Sequence, residues 1–183
     1  MTRLTTAALV LTSLVATAPP AAAQTPGSVA IAFGATTLRE DPPGDFFPAV
    51  TYDTGWAIHG SYVFLWNSRI GPAVDLGANR RDNSVGERQT LDGWLVGARV
   101  ELTRSRWLTT FAHGLVGRET FEEPGFKETG LAIQPGAGAD VILWKGLAVR
   151  AQVDHRIVKY PGDDGRYRDW RMFVGGAVRI TLQ

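Results

Sequence analysis

The sequence predicts an all-β protein, an eight-stranded antiparallel up-and-down transmembrane β-barrel that follows a cleavable signal peptide. Three observations predict it. After residue 24, apolar residues alternate with small or polar ones in successive runs, which is the two-residue period of a β-strand. The joins between the runs are alternately short and long, and the six tryptophans lie at or near the ends of the runs. Both features are typical of membrane-spanning barrels.

The composition fits one domain and excludes several classes of protein. The chain has 183 residues, of which 44% are hydrophobic, and it contains no cysteine. Its 19 basic and 18 acidic residues give a net charge of +1, so a basic nucleic-acid-binding protein is not expected. Without cysteine the fold relies on no disulfide.

The N-terminus has the pattern of an export signal. Residues 1–23 begin with Met-Thr-Arg, continue through an apolar stretch, and end in Pro-Pro followed by three alanines. A positive start, an apolar centre and an Ala-x-Ala end are typical of a secretory signal peptide, here with cleavage before Gln24. The mature barrel domain is therefore predicted to be residues 24–183.

Eight runs follow, and the last two show the alternation most clearly. From Trp170 to Leu182 every second residue is large and apolar or glycine, and Arg171, Phe173 and Arg179 lie on the opposite face. The predicted strands cover about residues 28–37, 55–66, 70–81, 90–102, 107–119, 129–143, 147–157 and 170–182.

The joins predict which end of the barrel faces outward. Residues 67–69, 103–106 and 144–146 form short turns, whereas residues 38–54, 82–90, 120–128 and 160–168 form longer joins. Short turns face the periplasm and long loops face outward in membrane barrels. Pro135 lies in the middle of a predicted strand and has no backbone N–H to donate to a regular ladder. A bulge at Pro135-Gly136 could accommodate it.

The turns also predict which residues lie opposite one another. A three-residue turn at 144–146 pairs Asp140 with Arg150, and a turn at 67–69 places Ser61 opposite Asp75. The facing of the strand at 107–119 stays open, because the preceding turn has three or four residues.

Small residues and charges share the face assigned to the barrel interior. Interior charges must be paired, because each unpaired charge out of water costs several kcal/mol. We therefore predict a structural ion-pair network that fills the lumen rather than an open pore, since water-filled channels need about twice as many strands. Its members are Asp75, Arg99, Glu101, Asp140, Arg150, Asp154, Arg156, Arg171 and Arg179.

The tryptophans are predicted to form two belts at the membrane surfaces. If the first strand runs outward, three lie at the periplasmic end and three at the outer end, as interfacial aromatic residues do. The inner belt is Trp66, Trp107 and Trp144, and the outer belt is Trp56, Trp94 and Trp170.

Catalytic chemistry has little support in the sequence. His59 and Ser61 lie two residues apart on one strand face, a spacing that resembles the His and Ser of outer-membrane lipid A deacylases. They are assigned to the crowded lumen, however, so a hydrogen-bonded pair is the default and they remain weak catalytic candidates. No metal-binding, redox or nucleotide-binding motif is present, and we expect neither a cofactor nor a metal.

The mature chain resembles the small bacterial outer-membrane β-barrel proteins of the OmpA/OmpX type, over about residues 27–183. The resemblance lies in Thr54-Gly55-Trp56, in the run from Pro135 to Asp140, in Arg150-x-Gln152-x-Asp154 and in the closing Phe173-x-Gly175-Gly176-x-Val178. It implies a location in the outer membrane of a Gram-negative cell envelope and insertion by the barrel-assembly machinery. It also implies contact with outer-membrane lipid and lipopolysaccharide.

The function expected is that of a monomeric outer-membrane barrel with a structural, adhesive or surface-interaction role through its outer loops. Two alternatives stay open. The first is a lipid-modifying hydrolase that uses His59 and Ser61, and the second is a soluble periplasmic, lipocalin-like carrier of a small apolar ligand.

Overall fold

A computed structural model describes residues 27–41, 49–52, 54–64, 69–83, 85–163 and 165–182. The predicted signal peptide and Trp66 lie outside the described residues. No helix among the described residues is long and apolar enough to cross a membrane.

The described chain forms nine β-strands, eight of which are long. Their bounds are β1 Gly27–Asp41, β2 Val50–Tyr52, β3 Thr54–Phe64, β4 Ile70–Asp82, β5 Arg88–Arg104, β6 Leu108–Glu123, β7 Phe126–Trp144, β8 Leu147–Lys159 and β9 Tyr167–Leu182.

The eight long strands close into one antiparallel barrel. Each of β3 to β9 pairs with its neighbour in sequence, β1 pairs with β3, and β1 also pairs with β9 along its whole length, from Gly27 opposite Leu182 to Asp41 opposite Arg168. The three residues of β2 pair with the outer end of β1 and continue the line of β3. The predicted eight-stranded up-and-down barrel is therefore confirmed.

The apolar side chains of the barrel point outward. Along β8, buried and exposed residues alternate without interruption from Leu147 to Asp154, and Leu131, Met172 and Ile180 on other strands are each more than half exposed. A soluble barrel would bury such residues, whereas hydrocarbon surrounds them in a membrane. The exterior is thus a continuous apolar band.

One predicted loop is wrong. The join expected at residues 120–128 is a two-residue turn at Pro124-Gly125, and the β6–β7 ladder runs to Glu123 opposite Phe126. Gly125 has a φ of 79°, the conformation that glycine adopts most readily after a turn proline. Beyond Arg118 and Leu131 polar residues predominate on both faces of these strands, so the strands continue after the apolar alternation has ended.

The bulge expected at Pro135-Gly136 is also wrong. Ile133 lies opposite Ile157 and Gly136 lies opposite Asp154, so the register of β7 on β8 is the same on both sides of Pro135. Proline removes a single amide donor, and this loss requires no extra residue in the strand. The register shifts fall nearer the inner turns, between Glu101 and Thr103 and between Ile142 and Trp144.

Two further pairings bear on the interior. Asp140 lies opposite Arg150, as the turn at 144–146 predicts. The pairing of Ser61 with Asp75 is wrong, because His59 lies opposite Asp75 and Ser61 lies opposite Ala73. A shift of two residues leaves the same side chains on the same face, so both His59 and Ser61 still point inward.

Candidate functional site

The centre of the barrel holds one arginine between two aspartates. The Arg171 guanidinium forms an ion pair with Asp75 and lies 2.9 Å from a carboxylate oxygen of Asp154. The three side chains are 1% exposed or less. Gln134 donates to Asp75 at 3.0 Å, and Gln152 donates to Asp154 at 2.9 Å. The two buried carboxylates therefore have both a cation and amide donors, as buried charges require.

Two histidines contact the same carboxylates. His59 Nδ1 is 3.0 Å from Asp75 Oδ2, and His113 Nε2 is 3.0 Å from Asp154 Oδ1. Ligand atoms of His59, Asp75 and Asp154 all lie within 4.8 Å of one another, a spacing that would admit a metal ion. Arg171 already donates to both carboxylates, so the positive charge that a metal would supply is present. The geometry favours an ion-pair cluster over a metal centre.

Toward the inner end, a second cluster surrounds Asp140. Arg150 Nε donates to Asp140 at 2.6 Å, and Arg99 Nη2 donates to it at 3.0 Å. The Arg99 guanidinium also lies 3.7 Å from the centre of the Phe111 ring, in a cation–π contact. This contact shows that β6, whose facing the sequence leaves open, points Phe111 into the barrel. His113, two residues further along β6, faces inward as well.

Glu101 forms a separate inner cluster with two arginines. Arg179 lies 3.0 Å from its carboxylate, and Arg104, which the sequence analysis places in a turn, also forms an ion pair with it. Arg179 additionally donates to Ser28 at 3.1 Å. The contact joins β9 to β1 and β5 near the periplasmic end.

The outer end of the interior contains residues that sequence reasoning missed. Arg156 forms an ion pair with Glu119 and donates to Gln134 at 2.8 Å. Tyr160 donates to Glu119 at 3.2 Å. Asp169 is fully buried, and neither of its carboxylate oxygens has a hydrogen-bond partner among the described residues. Glu119 would have been found if the facing of β6 had been known.

All nine predicted interior charges point into the barrel, where they divide among the clusters above. The predicted set omits two buried carboxylates, Glu119 and Asp169, and the sequence did not give the full list of partners. The exposed fraction of their side chains is below 10% for every member except Arg179, for which it is 20%.

The tryptophans point the other way. Trp56, Trp94 and Trp170 are exposed on the outward side of the barrel near its outer end. Trp107 and Trp144 are exposed at the inner end. Two rings of outward indoles thus flank the apolar band.

The catalytic candidates lie away from any surface that a lipid could reach. His59 is 5% exposed and Ser61 is 8% exposed, both inside the barrel. Ser61 Oγ has no hydrogen-bond partner among the described residues, so no base activates it there. A nucleophile and its base need to be within hydrogen-bonding distance of each other, and this pair does not meet that requirement.

The interior of the barrel is polar and filled by ion pairs, and its exterior is apolar between two rings of tryptophan. These two features are typical of a barrel embedded in a membrane. Comparison with known sequences agrees. The family model of the outer membrane protein beta-barrel domain matches residues 7–176. The chain belongs to this family. No curated protein is a significant match to the sequence.

Solved outer-membrane barrels share the fold. Ail, the attachment invasion locus protein of Yersinia pestis, is 16% identical with a TM-score of 0.58, over 84% of this chain and 99% of Ail. Neisserial surface protein A is 11% identical with a TM-score of 0.61, over 82% of this chain and 96% of that protein. OprG from Pseudomonas aeruginosa is 10% identical with a TM-score of 0.53, over 84% and 96%. At these identities the likeness is one of fold.

The family and the shared fold support a location in the outer membrane, and they favour the membrane barrel over the soluble carrier that the sequence left open.

Proposed function

We propose that this protein is a non-conducting outer-membrane barrel that uses the extended outer ends of β5, β6 and β7 for attachment at the cell surface. The observation that carries the proposal is the length of these strands. On β6, five residues follow Arg118 before the turn, and on β7 five residues precede Leu131. At about 3.3 Å per residue, the hairpin projects about 16 Å along the strand direction beyond the outer tryptophans.

The projecting part is ordered and carries apolar side chains at its tip. The β6–β7 ladder is continuous to Glu123 opposite Phe126. Phe126 is 47% exposed and its ring centre lies 6.0 Å from that of Phe121. Val85, in the neighbouring join between β4 and β5, is 76% exposed. Exposed apolar groups on a rigid extension outside the lipid are suited to protein contact.

The interior supports a role without conduction. Charged and apolar side chains fill successive levels of the lumen, from Asp140 near the inner end through Arg171 to Glu119 near the outer end, and each is buried. An eight-stranded barrel has room for such side chains and little else. We therefore assign no pore function, and the buried positions of His59 and Ser61 argue for a protein without hydrolase activity.

The likeness to Ail adds support of a limited kind. Ail is named as an attachment invasion locus protein, so at least one protein with this fold is named for attachment. The identity of 16% carries the fold and no residue-level correspondence.

The test is adhesion of bacteria that display the protein to cultured epithelial cells. Wild type should increase adhesion over vector-only cells, and a variant in which residues 120–129 are replaced by Asn-Gly should lose most of that increase. The double variant Val85→Ser/Phe126→Ser should lose it too, whereas Lys127→Gln, a polar change in the same hairpin, should not. Adhesion that is equal with and without the hairpin would refute the proposal.

Conduction is tested separately in planar bilayers. The wild-type protein should give no stepwise conductance, because the ion pairs close the lumen. Stable steps from a preparation that also runs as a folded barrel on gels would overturn the non-conducting part of the proposal. Replacing both His59 and Ser61 by alanine should leave the acyl pattern of extracted lipid A unchanged in mass spectrometry.

A further inference from the structure

A groove lies on the outward face of the barrel near its outer end, between β6, β7 and β8. It has a volume of about 440 Å³. Arg118 and Lys159 lie at its sides, Leu131 lies between them, and Thr129 and Pro161 complete its outer part.

The register places the groove relative to the membrane. Arg118 lies opposite Trp94 on one side and opposite Leu131 on the other, and Leu131 lies opposite Lys159. These four side chains form one row across β5 to β8. On one side of this row the next outward residues of β6 and β7 are Val116 and Ile133, and on the other side they are Thr120 and Thr129. Arg118 and Leu131 therefore lie where the apolar band ends, and Lys159 is beside Leu131. With strands about 4.8 Å apart, the backbones of Arg118 and Lys159 are about 10 Å apart.

Both cations are available to an anion from outside. Arg118 and Lys159 are exposed, and neither forms an ion pair or side-chain hydrogen bond within the described part of the chain. The acidic residue on the same face of β5, Asp92, lies opposite Thr120 and has an interaction of its own. Arginine and lysine side chains that are two strands apart can both reach one phosphate placed between them.

An apolar track leads from the groove toward the centre of the membrane. Leu131 is 57% exposed, Ile133 is 53% exposed two residues further in, and Val116 beside it is 48% exposed. A free anion would use the two cations alone, whereas a lipid would use the cations for its headgroup and this track for its acyl chain. The combination favours a lipid.

We propose that this groove binds a phosphorylated glycolipid of the outer leaflet, the lipid A part of lipopolysaccharide. Arg118 and Lys159 hold the phosphate, and Leu131 and Ile133 pack against an acyl chain. The site depends on the membrane location and not on the attachment role proposed above. A failed adhesion experiment therefore leaves it intact.

The experiment measures lipid binding to the detergent-purified barrel by native mass spectrometry. The probes are diphosphoryl lipid A, the same lipid after dephosphorylation, and inorganic phosphate. Arg118→Gln/Lys159→Gln should weaken binding of diphosphoryl lipid A about tenfold or more, since two charge-assisted contacts are removed. It should leave binding of the dephosphorylated lipid unchanged.

The matched control is Arg80→Gln/Arg168→Gln, which removes the same charge from two exposed outward residues on β4 and β9 that do not line this groove. It should change binding by less than about twofold. An equal loss in both double variants would overturn the proposal, because general charge attraction would then explain the binding. Displacement of lipid A by inorganic phosphate at a similar concentration would also overturn it, in favour of a free-anion site. Compact migration on unboiled gels shows that each variant is folded.

Discussion

The central ion-pair cluster makes a strong prediction about stability. Arg171→Met keeps most of the side-chain volume but removes the cation that contacts both Asp75 and Asp154, whose side chains are 0% exposed. Removing one partner of a buried pair costs about 3–5 kcal/mol, because the remaining charge stays buried without compensation. Here two carboxylates lose the same partner, and we expect a loss at the upper end of that range, about 4–5 kcal/mol.

The assay is urea unfolding of the refolded barrel in lipid vesicles, followed by tryptophan fluorescence. Arg168→Met, an exposed outward residue three positions earlier in β9, should change the free energy of unfolding by less than about 0.5 kcal/mol. The triple variant Arg171→Met/Asp75→Asn/Asp154→Asn removes all three charges and should recover most of the loss. If Arg171→Met lost less than about 1 kcal/mol, or if the triple variant were no more stable than the single one, the electrostatic explanation would be refuted.

Three further predictions test the seam, the outer turn and the aromatic rings. A Cβ atom at Gly34 would lie 2.2 Å from the carbonyl oxygen of Val174, whereas one at Gly176 would meet nothing within 4 Å. Gly34→Ala should therefore destabilise the barrel at the β1–β9 pairing by about 1–3 kcal/mol. The temperature at which the compact gel band disappears should fall accordingly. An equal effect of Gly176→Ala would contradict this reasoning. Gly125→Val should lower the free energy of unfolding in urea by about 1–2 kcal/mol, because of strain at the positive φ of this residue. Gly125→Asn should lower it less, and no difference between the two variants would contradict the explanation by strain. Single-tryptophan variants that retain Trp94 or Trp144 should be quenched more by lipids brominated near the headgroup than by lipids brominated at the chain end, and the reverse order would place these indoles in the hydrocarbon.

The membrane-spanning parts of the fold could be predicted because there the two faces of a strand meet different surroundings. In β8 and β9 the outward residues face hydrocarbon and the inward residues face packed charges, so the alternation is strong and even the pairing of Asp140 with Arg150 follows from the turn length. Where both faces meet water, this contrast is absent. The sequence therefore predicts a loop at the outer ends of β6 and β7, although their ladder is continuous.

The interior site could be predicted as a set of charges but not as a set of contacts. The shift between Glu101 and Thr103 alters the count of residues in the turn before β6, and the facing of that strand depends on this count. The sequence consequently does not show that Glu119 and His113 point into the barrel. The sequence predicts Ser61 opposite Asp75, whereas His59 occupies that position. A register error of two residues leaves a side chain on the same face but changes the residue opposite it.

The contacts of Asp75 have a consequence for how the barrel forms. Asp75 on β4 meets Arg171 on β9 and Gln134 on β7, so its partners come from strands far apart in the sequence. The smallest group of neighbouring strands that contains all three residues has six of the eight long strands. A sheet that lacked β9 would leave Asp75 without its arginine, so neutralisation of the interior is completed only when β9 pairs with β1 and closes the barrel.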